Sequence, residues 1–198
     1  MATIRVSNQS QLTNALRNVD DGDTILLGAG NYSKLQMKGG GRTDFDFSSK
    51  VTIKSADVNR PAVINEMLLQ NVGNLEIKDV TFDYTGRQAS DTPSWARGTP
   101  FALKGTSDVT LSNVDIKGHL QNNWAVGTGL YVNTSDGFTI RDSDMTDFKI
   151  AMNIWGTDDV TIEGNSIRRM NHDALFLGGI DGIKIEDNYI GEYRAQYP

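Results

Sequence analysis

A short strand pattern ending in an apolar anchor recurs six times, and this repeat constrains the fold more than any other feature. The copies are Val51-Thr52-Ile53, Leu75-Glu76-Ile77, Val109-Thr110-Leu111, Phe138-Thr139-Ile140, Val160-Thr161-Ile162 and Ile183-Lys184-Ile185. Their anchors are separated by 24, 34, 29, 22 and 23 residues, so three gaps cluster at 22–24 and two carry insertions. Eight residues before the last five anchors stand Leu69, Leu103, Val132, Ile154 and Leu177, and five residues after them stand Phe82, Ile116, Met145, Ile167 and Ile190. Two residues after them stand Asp79, Asn113, Asp142, Gly164 and Asp187. Each unit therefore holds short strands of alternating pattern separated by turns rich in Asp, Asn or Gly.

One such unit cannot bury its apolar side alone, so the units must stack into a solenoid. The period and the lack of helical patterning inside it suit a parallel β-helix. A leucine-rich repeat would need its own L-x-x-L-x-L signature, which is absent. Composition agrees: the 198 residues hold 20 Asp against 5 Glu, with 16 Asn and 20 Gly. Asp, Asn and Gly are turn formers that tolerate left-handed backbone, whereas Glu favours helix. Handedness cannot be read from the period; the chirality of parallel crossovers predicts a right-handed winding. The expectation is an all-β, right-handed parallel β-helix in a single domain over 1–198, with cap and first coil in 1–50 and coils of 22–24 residues in 51–198.

Leu12, Ala15, Leu16 and Val19 are spaced as one helical face, with Ser7 or Ser10 available as N-cap. A short amphipathic helix here would cover the open end of the first coil. Asp21-Gly22-Asp23 then turns into a strand at Thr24-Ile25-Leu26-Leu27. No matching cap precedes Tyr197-Pro198. The expectation at this end is further coils of a longer protein, or end-to-end self-association.

Leu12-Thr13-Asn14-Ala15-Leu16, followed by Gly22-Asp23-Thr24-Ile25, Leu27, Gly30 and Tyr32, resembles the cap and first coil of right-handed parallel β-helix proteins. These are the pectate-lyase-like group, and especially its alginate lyase/chondroitinase B type. Asp173-Ala174-Leu175-Phe176-Leu177 through Ile185-Glu186-Asp187-Asn188-Tyr189-Ile190 is similar to the repeats of mannuronan C5-epimerases and related secreted bacterial proteins. The resemblance covers nearly the whole chain. It implies the fold and, more loosely, a polysaccharide lyase or C5-epimerase, since many functions share this scaffold. The epimerases' Asp-Pro-His-Glu motif is absent, and the Lys and Arg motif of the lyases is not matched.

The register assigns faces. In the strand ending eight residues before each anchor, the outward side chains are Leu68, Ala102, Tyr131, Asn153 and Phe176, then Gln70, Lys104, Asn133, Trp155 and Gly178. Stacked about 4.8 Å apart, Tyr131, Asn133, Asn153, Trp155 and Phe176 form an exterior ladder. Aromatic faces interleaved with amides suit a saccharide. Both insertions enter beside this ladder: 84–100 carries Arg87, Trp95 and Arg97, and 117–128 carries His119 and Trp124. Arg97, His119, Trp124, Asn133, Asn153, Trp155 and Phe176 are the expected substrate-binding residues.

Lys149 and His172 stand thirteen residues before Ile162 and Ile185 and should stack on adjacent coils. A lyase or epimerase acting on a uronic acid neutralises the carboxylate and removes the C5 proton. It then expels the C4 substituent or reprotonates C5. Lys149, Arg97 or a bound Ca²⁺ suits the first task, and Tyr131 and His172 suit base and acid. Tyr131, Lys149 and His172 are thus the candidate catalytic residues.

Other acidic motifs reduce to turn chemistry. Asp158-Asp159 resembles the paired aspartates of β-helix polygalacturonases, yet Asn74, Asp108, Asp136, Asp159 and Asp181 recur at this place in the coils and the His-Gly partner motif is missing. Asp142, Asp144 and Asp147 offer oxygen ligands for Ca²⁺, although Asp142 belongs to the turn ladder. With no Cys and no paired His there is no zinc site. A net charge of −6 without a Lys/Arg stripe disfavours nucleic acid, and no apolar run is long enough for a membrane span. Met1 to Arg5 lacks a secretory signal, which leaves a cytoplasmic protein, a trimmed mature one or export by a C-terminal signal; with the resemblance to secreted proteins, the expectation is an extracellular protein exported without an N-terminal signal peptide. The leading functional expectation is a polyuronate lyase or C5-epimerase. The alternative is a non-catalytic glycan-binding or structural module.

Overall fold

The computed structural model describes residues 1–40 and 45–194. The expectation placed on Tyr197-Pro198 lies outside the described residues. Three parallel sheets run the length of the solenoid. Sheet A has eight strands: Thr3–Val6, Thr24–Leu27, Phe45–Ser55, Val72–Lys78, Ser107–Ser112, Thr139–Arg141, Val160–Glu163 and Ile183–Glu186. Sheet B has seven: Asn31–Tyr32, Val63–Ile64, Thr81–Asp83, Asp115–Lys117, Asp144–Thr146, Ser166–Arg168 and Tyr189–Gly191. Sheet C has six: Leu35–Lys38, Met67–Gln70, Phe101–Lys104, Thr128–Asn133, Ile150–Trp155 and Asp173–Gly178. Every coil visits A, B and C in that order. No helix among the described residues is long and apolar enough to cross a membrane.

The strand pairings reproduce the repeat register. Ile53, Ile77, Leu111, Ile140, Ile162 and Ile185 are successive partners in sheet A. Leu69, Leu103, Val132, Ile154 and Leu177 are partners in sheet C, and Phe82, Ile116, Met145, Ile167 and Ile190 in sheet B. These columns form one continuous core, in which most of the inward side chains are wholly buried. In the last coil the same columns emerge, with Leu177, Ile183, Ile185 and Ile190 between 36% and 45% exposed.

The turns explain the Asp and Asn excess. Of the 14 non-glycine residues with positive φ among the described residues, 11 are Asp or Asn, whose short polar side chains bond locally and lower the cost of left-handed backbone. They fall in columns. Asp79, Asn113, Asp142, Gly164 and Asp187 turn sheet A into sheet B, and Asn74, Asp108, Gly137, Asp159 and Gly182 lead into sheet A. Asp136 and Asp181 sit one residue before that second column.

Polar side chains also enter the interior, where backbone groups at the A-to-B corner need partners. Asn165 is 2% exposed; its Oδ1 accepts from Ser143 N at 3.1 Å, and its Nδ2 donates to Ile140 O at 3.0 Å. Asn188 repeats the pattern one coil later, accepting from Asn165 N and donating to Ile162 O. Farther out, the Asp147 carboxylate takes a two-pronged contact from Arg169 at 3.1 and 2.8 Å and another from Arg194 at 2.7 Å, tying the last three coils together. Burial, the largest single influence, raises its pKa, but the bonds from Arg169 and Arg194 together outweigh it and hold the carboxyl below its usual 3.8.

The cap differs from expectation in two respects. The helix, α1 (Gln9–Arg17), is capped by Asn8, whose Oδ1 accepts from Gln11 N at 2.9 Å, and not by Ser7 or Ser10. Asn caps as well as Ser, and the Gln11 side chain returns the bond to Ser7 N at 2.8 Å. Leu12, Ala15 and Leu16 are buried as expected, whereas Val19 is buried beyond the helix end. The strand Thr3–Val6 was not expected; it adds a parallel edge to Thr24–Leu27.

Two stability predictions follow from these contacts. Asn165→Ala leaves Ser143 N–H buried without its side-chain partner and should cost roughly 1–3 kcal/mol, whereas Asp142→Gly should stay within about 0.5 kcal/mol because glycine accepts the same backbone; urea midpoints distinguish them. Because the Asp147 pKa is depressed in the fold, its contribution is present above the unfolded value of 3.8 and lost as pH falls through the folded value. Asp147→Asn should therefore lower the melting temperature near neutral pH and flatten its decline below pH 3.8 in thermal scans across pH.

Candidate functional site

The exterior of sheet C carries two side-chain columns fixed by strand pairing. The first runs Gln36, Leu68, Ala102, Tyr131, Asn153, Phe176, and the second Lys38, Gln70, Lys104, Asn133, Trp155, Gly178. Trp155 and Phe176 are 51% and 44% exposed, and their rings stack with centroids 6.3 Å apart at 18°. The indole lies across Gly178 on the next coil, where a Cβ would collide with it. Glycine at that rung lets the two rings form one flat apolar platform. Asn153 stands beside it, half-buried, with its amide free of protein partners among the described residues. Asn133 is committed to its own turn, donating to Trp155 O and accepting from Thr134 Oγ1.

The insertion 84–100 closes over the other half of the first column. Its short 3₁₀ turn, Ser94–Ala96, presses Ala96 and Trp95 onto Leu68 and Ala102, and Tyr131 packs against the edge of this cluster. Lys104 Nζ sits 5.6 Å above the Trp95 ring, a cation–π contact. Buried Glu66 fixes the insertion from below, accepting from Thr92 Oγ1 at 2.7 Å. Gln88 braces it across, donating to Ala96 O and Thr99 O and accepting from Gly98 N. The insertion therefore covers Leu68 and Ala102 and leaves Gln36 at one end and the stretch from Tyr131 to Phe176 at the other open in the first column.

Arg97, Lys149 and His172 line the corner between sheets B and C. Thr128 N donates to Gly98 O, Lys149 N to Gly127 O, and His172 N to Lys149 O, each at 3.0 Å. Lys149 and His172 are thus on adjacent coils, as their spacing required. All three side chains are exposed, and neither Arg97 nor Lys149 has a carboxylate partner among the described residues. His172 Nδ1 lies 2.7 Å from Asp173 Oδ2. A carboxylate can only accept, so in the neutral ring the proton sits on Nδ1 and the Nε2 lone pair is free. Tyr131 is farther off. It pairs with Asn153 and then Phe176, two coils before the His172 strand, or roughly 9.6 Å along the axis.

The insertion 117–128 is an antiparallel hairpin, His119–Gln121 with Trp124–Val126, reversed at Asn122 and Asn123 with φ of 52° and 62°. His119 points at the first insertion, perpendicular to the Tyr84 ring at 6.3 Å and over Gly86, so it joins the two insertions. The hairpin reaches the last coils through Asn171 Nδ2, which donates to Ala125 O at 3.0 Å. Trp124 remains 38% exposed beside that anchor. Sequence reasoning missed Asp173 as the partner of His172 and Trp95 as the cover of the ladder. Both arise from tertiary placement, although the adjacency of Asp173 and the Gly178 register were readable signals.

The acidic residues considered for Ca²⁺ are engaged by arginines. Asp142 Oδ2 meets Arg141 at 3.0 Å, Asp144 Oδ1 meets Arg168 at 3.1 Å, and Asp147 holds Arg169 and Arg194. No group of three or more metal-ligating side chains converges among the described residues. The donor set does not fit Ca²⁺, and no step is routed through it. Asp158 Oδ1 accepts from Asp181 N at 3.1 Å and Asp159 has φ 50°, which makes that pair turn residues.

Residues 99–194 match the family model described as the right handed beta helix region. No curated protein matches the chain. Among solved structures, pectate lyase Pel9A is similar at 15% identity with a TM-score of 0.53, covering 91% of this chain and 55% of that one. An alginate lyase from Paenibacillus sp. str. FPU-7 is matched at 14% identity, TM-score 0.39, over 98% and 99% of the two chains. A PL6 family alginate lyase is matched at 14% identity, TM-score 0.41, over 100% and 38%. The chain spans 55% of the pectate lyase's length. Its three in-register parallel sheets and its matched repeat region give it the right-handed parallel β-helix fold, which pectate lyase Pel9A shares.

Proposed function

We propose that this protein binds an acidic polysaccharide along the exterior of sheet C and abstracts the C5 proton of a uronate held there. The carrying observation is the exposed Trp155–Phe176 platform on strands whose opposite ends carry the unpaired Lys149 and the His172–Asp173 pair, four to six residues or roughly 13–20 Å away along the strand. A sugar ring lays its apolar face on the two rings while Asn153 bonds its hydroxyls. Lys149 and Arg97 neutralise the uronate carboxylate, which makes the C5 proton acidic enough to remove. His172 Nε2 takes that proton, with Asp173 stabilising the imidazolium. In a lyase the C5–H electrons form the C4=C5 double bond as the C4–O bond breaks, and the departing oxygen takes its proton from water. In an epimerase C5 takes a proton from water on the opposite face, and His172 releases the abstracted proton to solvent. That a pectate lyase carries the same fold supports the substrate class.

A second reading is a glycan-binding or structural module without chemistry. The distance of Tyr131 from His172 favours it, because the two cannot act on one C5 centre. Secretion belongs to either reading, since extracellular polyuronates are the ligands.

Incubation with pectate, alginate and chondroitin separates these readings. The enzyme reading expects new ultraviolet absorbance from an unsaturated uronide, or an epimerised product by NMR; neither signal with any polymer leaves only the binding module. If chemistry is seen, His172→Ala should lower kcat by about 10²–10⁴-fold, and Tyr131→Phe should leave it nearly unchanged. Trp155→Ala should weaken saccharide binding roughly tenfold, equivalent to about 1.4 kcal/mol, without altering the fold as judged by circular dichroism.

A further inference from the structure

The first coil carries a second feature of sheet C, far from the platform and outside the chemistry above. A cavity of about 370 Å³ opens between α1 and the strand Leu35–Lys38. Gln9, Thr13, Leu16 and Arg17 face it from the helix, Lys34, Gln36 and Lys38 from the strand side, and Phe45 from the next turn of chain. Leu16 and Phe45 are buried and give it an apolar floor. Its rim is cationic in a protein whose net charge is −6.

The charges are not equivalent. Lys34 is already used, 3.1 Å from Asp91 and 3.9 Å from Glu66. Gln9 is also committed, donating to Lys34 O and accepting from Lys34 N. Arg17, Gln36 and Lys38 are exposed and have no partner among the described residues. Two unneutralised cations and a free amide thus converge on a cavity with an apolar base. That combination fits a pyranose ring bearing an anionic oxygen group.

Register connects this cavity to the platform. Lys38 heads the same column that continues through Gln70, Lys104 and Asn133 to Trp155. Four coil steps of about 4.8 Å place the two ends roughly 19 Å apart. Lys104, over the Trp95 ring, supplies a further positive charge at the midpoint. The column is therefore a straight track with cations at its start and centre and an aromatic platform toward its far end.

We infer that the cavity between α1 and sheet C is a distal subsite for an anionic sugar of the same polysaccharide chain, gripped by Arg17, Lys38 and Gln36. This rests on the reading of the platform as the saccharide site. The subsite is reached only by chains long enough to span the track, so it selects polymer over short fragments and sets the chain direction parallel to the solenoid axis.

Calorimetric titration of the full chain with disaccharides and decasaccharides of galacturonate and of alginate tests this, with fully methyl-esterified galacturonate decasaccharide as the neutral control. The double variant Arg17→Gln with Lys38→Gln should bind the acidic decasaccharide roughly five- to tenfold more weakly, as expected for two exposed ionic contacts. Its affinity for the disaccharide and for the neutral control should be unchanged, and its salt dependence reduced. Trp155→Ala should weaken disaccharide and decasaccharide alike. If the double variant keeps decasaccharide affinity within twofold while Trp155→Ala loses it, the subsite is refuted and the platform stands. Equal losses for the acidic and neutral decasaccharides also refute it, since charge is then not read. If the wild-type protein binds neither acidic decasaccharide, or Trp155→Ala has no effect, the platform reading fails and the subsite fails with it.

Discussion

Every exterior side chain of this protein owes its position to one constraint: successive coils hydrogen-bond in register. Backbone pairing sets neighbouring strands about 4.8 Å apart, and the pairing admits no slip because a one-residue shift would turn each buried column outward. Ile77, Leu111, Ile140 and Ile162 are wholly buried partners in sheet A, so the inward columns hold the register from inside. Outward residues such as Tyr131, Asn153 and Phe176 then line up without any contact of their own being required. A functional surface on such a frame is a set of linear tracks, and a linear polymer is the ligand whose shape matches it.

Corners are where this frame demands special chemistry. Each coil must bend sharply three times, and the columns of left-handed residues do the bending at low cost because Asp, Asn and Gly tolerate that conformation. The same bends leave backbone groups facing inward. Ser143, Asn165 and Asn188 answer them in successive coils with side-chain hydrogen bonds. The two long insertions, 84–100 and 117–128, leave the solenoid at the corner between sheets B and C. That placement puts them beside sheet C, and Trp95 uses it to cover half of the first column.

Charge is distributed with a similar logic. Among the described residues arginines match Asp142, Asp144 and Asp147 on the outside of the corner between A and B and of sheet B, and Arg60 matches Asp57. Around sheet C the cations lack such partners: Arg17, Lys38, Arg97 and Lys149 stand free among the described residues. Exposed cations in register attract a polyanion with modest energy at each contact and a larger sum over a chain.

The sequence alone determined the solenoid, its register and the identity of the inward and outward columns, because these follow from side-chain period and backbone spacing, which are local and repeat six times. It also assigned the Asp excess to turns and put Lys149 against His172, since both are consequences of the same counting. What it did not determine depends on contacts between segments that share no register. The Asn8 cap, the packing of Trp95 against Tyr131, the turning of His119 toward Tyr84 and the reach of Arg194 to Asp147 are of this kind. So is the cavity beneath α1, which exists only because the helix crosses the first strand of sheet C. Insertions and caps break the repeat, and once the period is broken only packing in three dimensions decides which side chains remain available to a ligand.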